Sequence, residues 1–171
     1  GTTDTFTVVL DAQPTSDVIL TLTSSDTGEA TVNGPLTFTP ANWDTPQTVT
    51  VTGADDGSVV DGDQTSLITI SIDDANSNDS FDAVTDQTVS VDTTDDDVAG
   101  FTIAETNGST EVDESGTTDI FTIVLDAQPT SDVLLSLSIN DNSEASVSSS
   151  LTFTPINLSL IHISEPTRPL S

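Results

Sequence analysis

Asp4–Val18 reads DTFTVVLDAQPTSDV, and Asp119–Val133 reads DIFTIVLDAQPTSDV. The offset between the two is 115 residues. It holds without a gap through LTFTPAN at Leu36–Asn42 and LTFTPIN at Leu151–Asn157, with about 25 of 39 aligned positions identical. A near-copy of this length points to two examples of one structural unit in tandem, not to one large domain.

Working outward, each copy is expected to be incomplete. The second opens with GFTIAETNGSTEVDESGTTD at Gly100–Asp119, whereas the first begins at GTTD, which matches only the last four of those residues. The second leaves the common register at Leu158, where Trp43 should find its counterpart. The expected layout is a first repeat at residues 1–98 lacking its first strand and a second at 99–157 lacking its second half. The acidic run Asp95–Asp97 lies at their junction.

The run Leu158–Arg168, LSLIHISEPTR, resembles the translation of a transposase-type sequencing adapter. No Arg, Lys or His precedes Leu158, yet His162 and Arg168 both fall within this run. Residues 158–171 are therefore read as a non-native tail and set aside from functional argument. A strand over Leu158–Ile163, standing in for the counterpart of Thr48–Thr52, is still open to so β-branched a segment.

Apolar residues recur with period two through the first copy, the signature of half-buried strands. Phe6, Val8 and Leu10 form one set, and Val18, Leu20 and Leu22 another. Val49 with Val51, Ile68 with Ile70 and Ile72, and Val89 with Val91 follow, with shorter pieces at Ala30–Val32 and Leu36–Thr39. Clusters of Gly, Pro, Asn and Asp separate them, and no segment has helical periodicity. About seven short strands with one apolar face each predict an all-β fold: tandem immunoglobulin-like β-sandwich repeats, both copies incomplete.

Charge narrows the function. The chain carries 29 acidic residues against one Lys or Arg, a net charge of −28. A nucleic-acid partner needs cationic side chains on phosphate, which this chain lacks. Anionic membrane surfaces are disfavoured for the same reason, and no apolar run reaches the ~18 residues of a membrane span. With no Cys, disulfides cannot hold the fold. Without a base in the first 157 residues, general acid–base and nucleophilic catalysis lack their usual groups, so no enzyme is expected.

The acids gather in turns: Asp55-Asp56 with Asp61 and Asp63, then Asp73, Asp74, Asp79 and Asp82, then Asp95–Asp97. Successive antiparallel strands reverse direction, so the Asp55–Asp63 loop and the Asp95–Asp97 loop should share one end of the sandwich, with Asp73–Asp82 at the other. Converging carboxylates without bases call for a cation. Calcium, a hard ion taking 6–8 oxygens, suits them; zinc would want His or Cys. Solvated acidic loops on a salt-adapted surface are the plain alternative.

The order Val112-Asp113-Glu114, then Leu36–Pro40 (LTFTP), Asp55-Asp56 after a Val-x-Val strand, and Asp95–Asp97 resembles the Calx-beta repeat of sodium/calcium exchangers and bacterial surface proteins. The resemblance implies a calcium cluster at one end, carried by Asp55, Asp56, Asp61, Asp63, Asp95, Asp96, Asp97 and Glu114. The family's mid-domain Asp-Tyr is absent, with Asp26 and Asp141 in its place. Glu114 belongs to the second copy, so no single repeat here carries the whole set.

Three further features are weaker. Asp74-x-Asn76-x-Asn78 imitates the start of a calcium loop, but Asp79 occupies the required Gly position. Trp43 could stack on a sugar or simply pack. Asn78-Asp-Ser and Asn107-Gly-Ser match glycosylation acceptors. The expected function is a calcium-binding structural spacer or stalk module of a large extracellular or cell-surface, adhesin-like protein. Its partners would be neighbouring repeats, with any cell-surface or polysaccharide target reached through other domains. A carbohydrate-binding module, or an ancillary domain of a secreted hydrolase, is the alternative. An independent, adapter-free read of the source DNA is expected to lose LSLIHISEPTR after Asn157; finding it again would make the tail native.

Overall fold

The computed structural model describes residues 1–165; the rest of the expected tail, 166–171, lies outside the described residues. The chain is all-β, its only helical pieces among the described residues being 3-10 turns at Asp74–Asn76, Asp79–Phe81 and Thr106–Gly108. No helix among the described residues is long and apolar enough to cross a membrane. The chain forms two compact units, residues 1–57 with 62–95 and residues 58–61 with 96–171.

The strands of the first half are β1 (Thr3–Val8), β2 (Val18–Ser24), β3 (Ala30–Val32), β4 (Leu36–Phe38), β5 (Gln47–Gly53), β6 (Val59–Val60), β7 (Gln64–Ile72) and β8 (Gln87–Thr93). In the first unit, β1-β5-β3 make one antiparallel sheet and β4-β2-β7-β8 another. Their period-two patterns put Val18, Leu20, Leu36, Phe38 and Ile70 of the larger sheet in one buried cluster with Val49 of the smaller. Ala30 and Val51 of the smaller sheet bury Ile68 of the larger. The two sheets therefore close on a common core, with Thr filling many outward positions.

The second unit uses β9 (Phe101–Glu105), β10 (Asp119–Leu125), β11 (Gln128–Pro129), β12 (Val133–Ser136), β13 (Ser146–Val147), β14 (Ser150–Phe153) and β15 (Ser159–Glu165). Its sheets are β13-β15-β10-β9 and the pair β12-β14. Parallel pairing of Val59–Val60 with Gln128–Pro129 assigns residues 58–61 to this unit. That pairing was not expected from a stretch that reads as loop. Ile123, Leu125 and Phe153 form its core, flanked by partly buried Leu135, Leu137, Leu151 and Leu158.

The sequence repeat is also a repeat of pairing. Val18 faces Phe38 across β2-β4, and Val133 faces Phe153 across β12-β14, each shifted by 115. β15 takes the place of β5 beside β10, but slid by two residues: Phe6 faces Val49, while Phe121 faces His162 where strict repetition would place Ser164. A slip of two keeps the same side-chain parity on each face. The preceding turn is common to both units, Asn42 N donating to Thr39 O and Asn157 N to Thr154 O, and Leu10 N meets Trp43 O as Leu125 N meets Leu158 O. The slide arises just after, where β15 starts at once at Ser159 and β5 only at Gln47. The expected boundary at 157 is therefore not a boundary of packing: β15 belongs to the second unit's sheet, and Leu158 touches its core.

β9 pairs with the outer edge of β10. In the first unit β1, the counterpart of β10, ends its sheet among the described residues. One polar group is out of place inside the first unit: Ser66 of β7 is fully buried, and its Oγ has no hydrogen-bond partner. A buried unsatisfied hydroxyl costs about 1–3 kcal/mol. Ser66→Ala is expected to stabilise the chain by about 1 kcal/mol in chemical denaturation; a loss of stability would mean that Oγ is satisfied.

Candidate metal centre

Loop acids gather where β5 and β8 end and β7 begins. β5 ends at Gly53 opposite Ala30 of β3, and β7 begins at Gln64 opposite Thr93, the last residue of β8. The Glu29 carbonyl ties the two sheets there, accepting from Ala54 N at 2.8 Å and from Thr93 Oγ1 at 3.3 Å. The loops themselves are also joined. Gly62 N donates to Asp95 Oδ2 at 2.7 Å, and Asp95 N donates to Asp63 Oδ1 at 3.1 Å. Gly62 sits at φ +81°, a backbone conformation that other residues resist. Asp55 folds back on its own turn, accepting from Gly57 N at 2.9 Å.

Carboxylate oxygens of Glu29, Asp56 and Asp61 all lie within 4.8 Å of one another. Among the described residues this is the one group of three such ligands at that spacing. Asp56 and Asp61 are exposed and Glu29 is half-buried. Three acceptor-only groups this close repel one another, and a cation relieves that repulsion. The donor set is all oxygen, which fits a hard ion such as calcium and gives zinc neither nitrogen nor sulfur. Exposed acidic groups also cluster without any ion, and the geometry alone does not select the metal.

The eight expected ligands therefore separate. Asp56 and Asp61 join the group. Asp55, Asp63 and Asp95 each accept a backbone N–H within the loops, so they staple the end into shape. Asp96 and Asp97 follow Asp95 in the chain and do not join the group at 4.8 Å. Glu114 is exposed in the second unit, on the turn that Gly116 N closes onto the Asp113 carbonyl. Glu29 was not foreseen. Its signal was the repeat itself, because Glu144 stands at the matching position, each Glu preceding an Ala that leads into the next strand.

The opposite end is built from neutral groups as well as acids. Asn78 is buried, and its Nδ2 donates to Thr15 Oγ1 at 2.7 Å and Ser16 Oγ at 3.0 Å, while its Oδ1 accepts from Ser80 N at 3.0 Å. Asn76 Nδ2 donates to both oxygens of Asp73. These amides hold loops together, which accounts for the calcium-loop look-alike at Asp74–Asn78 and removes Asn78 as a glycosylation acceptor. Trp43 is half-buried, and its carbonyl accepts from Leu10 N at 3.2 Å.

No protein-family model matches the chain, and no curated protein matches it.

Hydrogen bonding sets several carboxyls apart. Ser115 holds Asp113 below the ordinary aspartate range, the Glu111 and Ile120 amides do so for Asp119, and Ser143 does so for Asp141. Partial desolvation raises Asp82, helped by a hydrogen bond to Asp74 and by the charges of Asp74 and Asp79. Stabilisation from the lowered groups is complete above the ordinary value of about 3.9 and fades as pH falls through their folded values. Asp82 acts in the opposite sense: its ionised form strains the loop above its raised value, and protonation relieves it. A carboxyl-carbon NMR titration should find Asp82 protonating before Asp113, Asp119 and Asp141 as pH falls. The reverse order would contradict these hydrogen bonds.

Proposed function

We propose that the chain is part of a calcium-dependent structural array, in which immunoglobulin-like repeats serve as spacers or a stalk in an extracellular or cell-surface protein. The observation that carries this reading is the meeting of Glu29, Asp56 and Asp61 within 4.8 Å at an end already stapled by Asp95. The internal repeat and the resemblance to Calx-beta modules support it. A bound ion would neutralise that cluster and lock the loops after β5 and β8, stiffening them. Stalk function then needs only rigidity and repetition. Sugar stacking has less support, because of the aromatic residues only Phe101 is exposed, and one ring makes no stacking surface.

The test is a thermal melt in chelator, in millimolar calcium, and in sodium chloride of matched ionic strength. At ten times the dissociation constant, one ion adds about 1.4 kcal/mol, a rise of roughly 5–10 °C for a unit of this size. Asp56→Asn and Asp61→Asn should each raise the melting temperature in chelator, by removing repulsion, and abolish the calcium increment. Asp82→Asn, at the other end, should leave the increment intact. Equal stabilisation by sodium would reduce the cluster to a screened acidic surface.

A further inference from the structure

In the first unit the edge of β2 away from β4 is filled by β7, with Leu20 opposite Ile72, Leu22 opposite Ile70 and Ser24 opposite Ile68. Ile68 and Ile70 are buried there. In the second unit β12 pairs with β14 in the same register, but among the described residues its other edge carries no strand. β2 runs seven residues, whereas β12 stops after four, at Ser136. Residues 137–139, the counterparts of Leu22–Ser24, are outside any strand. Beside that bare edge lies a cavity of about 580 Å³. Leu135, Leu137 and Ile139 line one side, with Phe101, Ile103 and Ile123 among its other walls. Phe101 and Ile103 remain 52% and 53% exposed, and Ile139 38%.

We propose that this groove is a strand-acceptor site. Its occupant is an extended segment with branched aliphatic residues at alternate positions, pairing antiparallel with β12. The first unit supplies the pattern in β7, QTSLITISI, which carries no charged residue over nine positions. An uncharged donor is what a chain of net charge −28 admits without repulsion. The repeat fixes the register: a residue in the place of Ile72 faces Leu135, one in the place of Ile70 faces Leu137, and one in the place of Ile68 faces Ile139. Main-chain hydrogen bonds to β12 supply affinity, and the alternate side chains filling the groove supply specificity. Ile139 stands where the first unit has Ser24, so this acceptor is the more apolar of the two. The site is built wholly from residues 101–147 and does not depend on the acidic cluster.

The experiment adds a synthetic peptide of sequence QTSLITISI, corresponding to Gln64–Ile72, to the full chain and follows hydrogen exchange and binding, in chelator and in calcium alike. Saturable binding is expected, with new amide protection at Leu135–Ile139 as those residues join a strand. A peptide carrying Ile68→Thr, Ile70→Thr and Ile72→Thr should bind roughly tenfold more weakly or worse, since it loses three buried aliphatic side chains. This comparison leaves the protein unchanged, so misfolding cannot explain it. In the chain, Leu137→Asp should abolish binding, whereas Leu134→Asp, on the exposed face of β12, should not. Protection that falls on β2 instead, or equal binding of the Thr-substituted peptide, would overturn the proposal. So would self-association that protects β12 without peptide, because the occupant would then be a second copy.

Discussion

The structure depends on one electrostatic constraint: the first 157 residues hold 28 acids and no side chain of opposite charge. An acid in such a chain must be placed where water or a backbone N–H can serve it. The same local device recurs. Asp26 accepts from Gly28 N, Asp55 from Gly57 N, Asp113 from Ser115 N and Asp141 from Ser143 N, each two residues along the chain. These Asx turns make the carboxylate a turn-former, so charge and chain reversal coincide. The strands that build the first unit's core, β2, β4, β5 and β7, contain no charged residue. Charge is thus segregated to the ends, and the sheets can close on each other without burying it.

That segregation leaves the core to alternation alone, and the two units show how far it reaches. Both own the β2-β4 type of pairing and a sheet centred on β5 or β15. Only the first owns β7, and with it the buried Ile68 and Ile70 that join its two sheets. The second gathers Ile123 and Leu125 around Phe153 and leaves Phe101 and Ile103 half exposed. About 25 of 39 identical positions therefore do not make two equal cores. The strand that completes the larger sheet of the first unit comes from outside the duplicated stretch.

Most of the fold was legible because its signals are local and periodic. Every apolar alternation in the first copy became a strand, and strand parity brought the loop after β5 to the loop after β8, where Gly62 meets Asp95. What could not be read has equally physical causes. Val59–Val60 is too short to show a period, and its partner Gln128–Pro129 is set by tertiary pairing. The two-residue slide of β15 preserves side-chain parity, so no pattern of apolar residues distinguishes it from the repeat register. Glu29 hid in a turn between Gly28 and Ala30, apart from the Asp runs that drew attention. Sequence also could not show that Asp55, Asp63 and Asp95 each accept a backbone N–H and so shape the loops that present the group.

The two ends of the first unit differ in kind, and that difference bears on function. At one end Asn78 brings both donors and an acceptor into the fold, and its hydroxyl and amide partners satisfy it without any ion. At the other, Glu29, Asp56 and Asp61 are acceptors only. The amides of Gly57, Gly62 and Asp95 are committed to Asp55, Asp95 and Asp63. Those bonds fix the loops in place. Carboxylates held this close in a stapled frame repel one another. The opposite end meets no such repulsion at Asn78, whose partners are two hydroxyls and a backbone N–H.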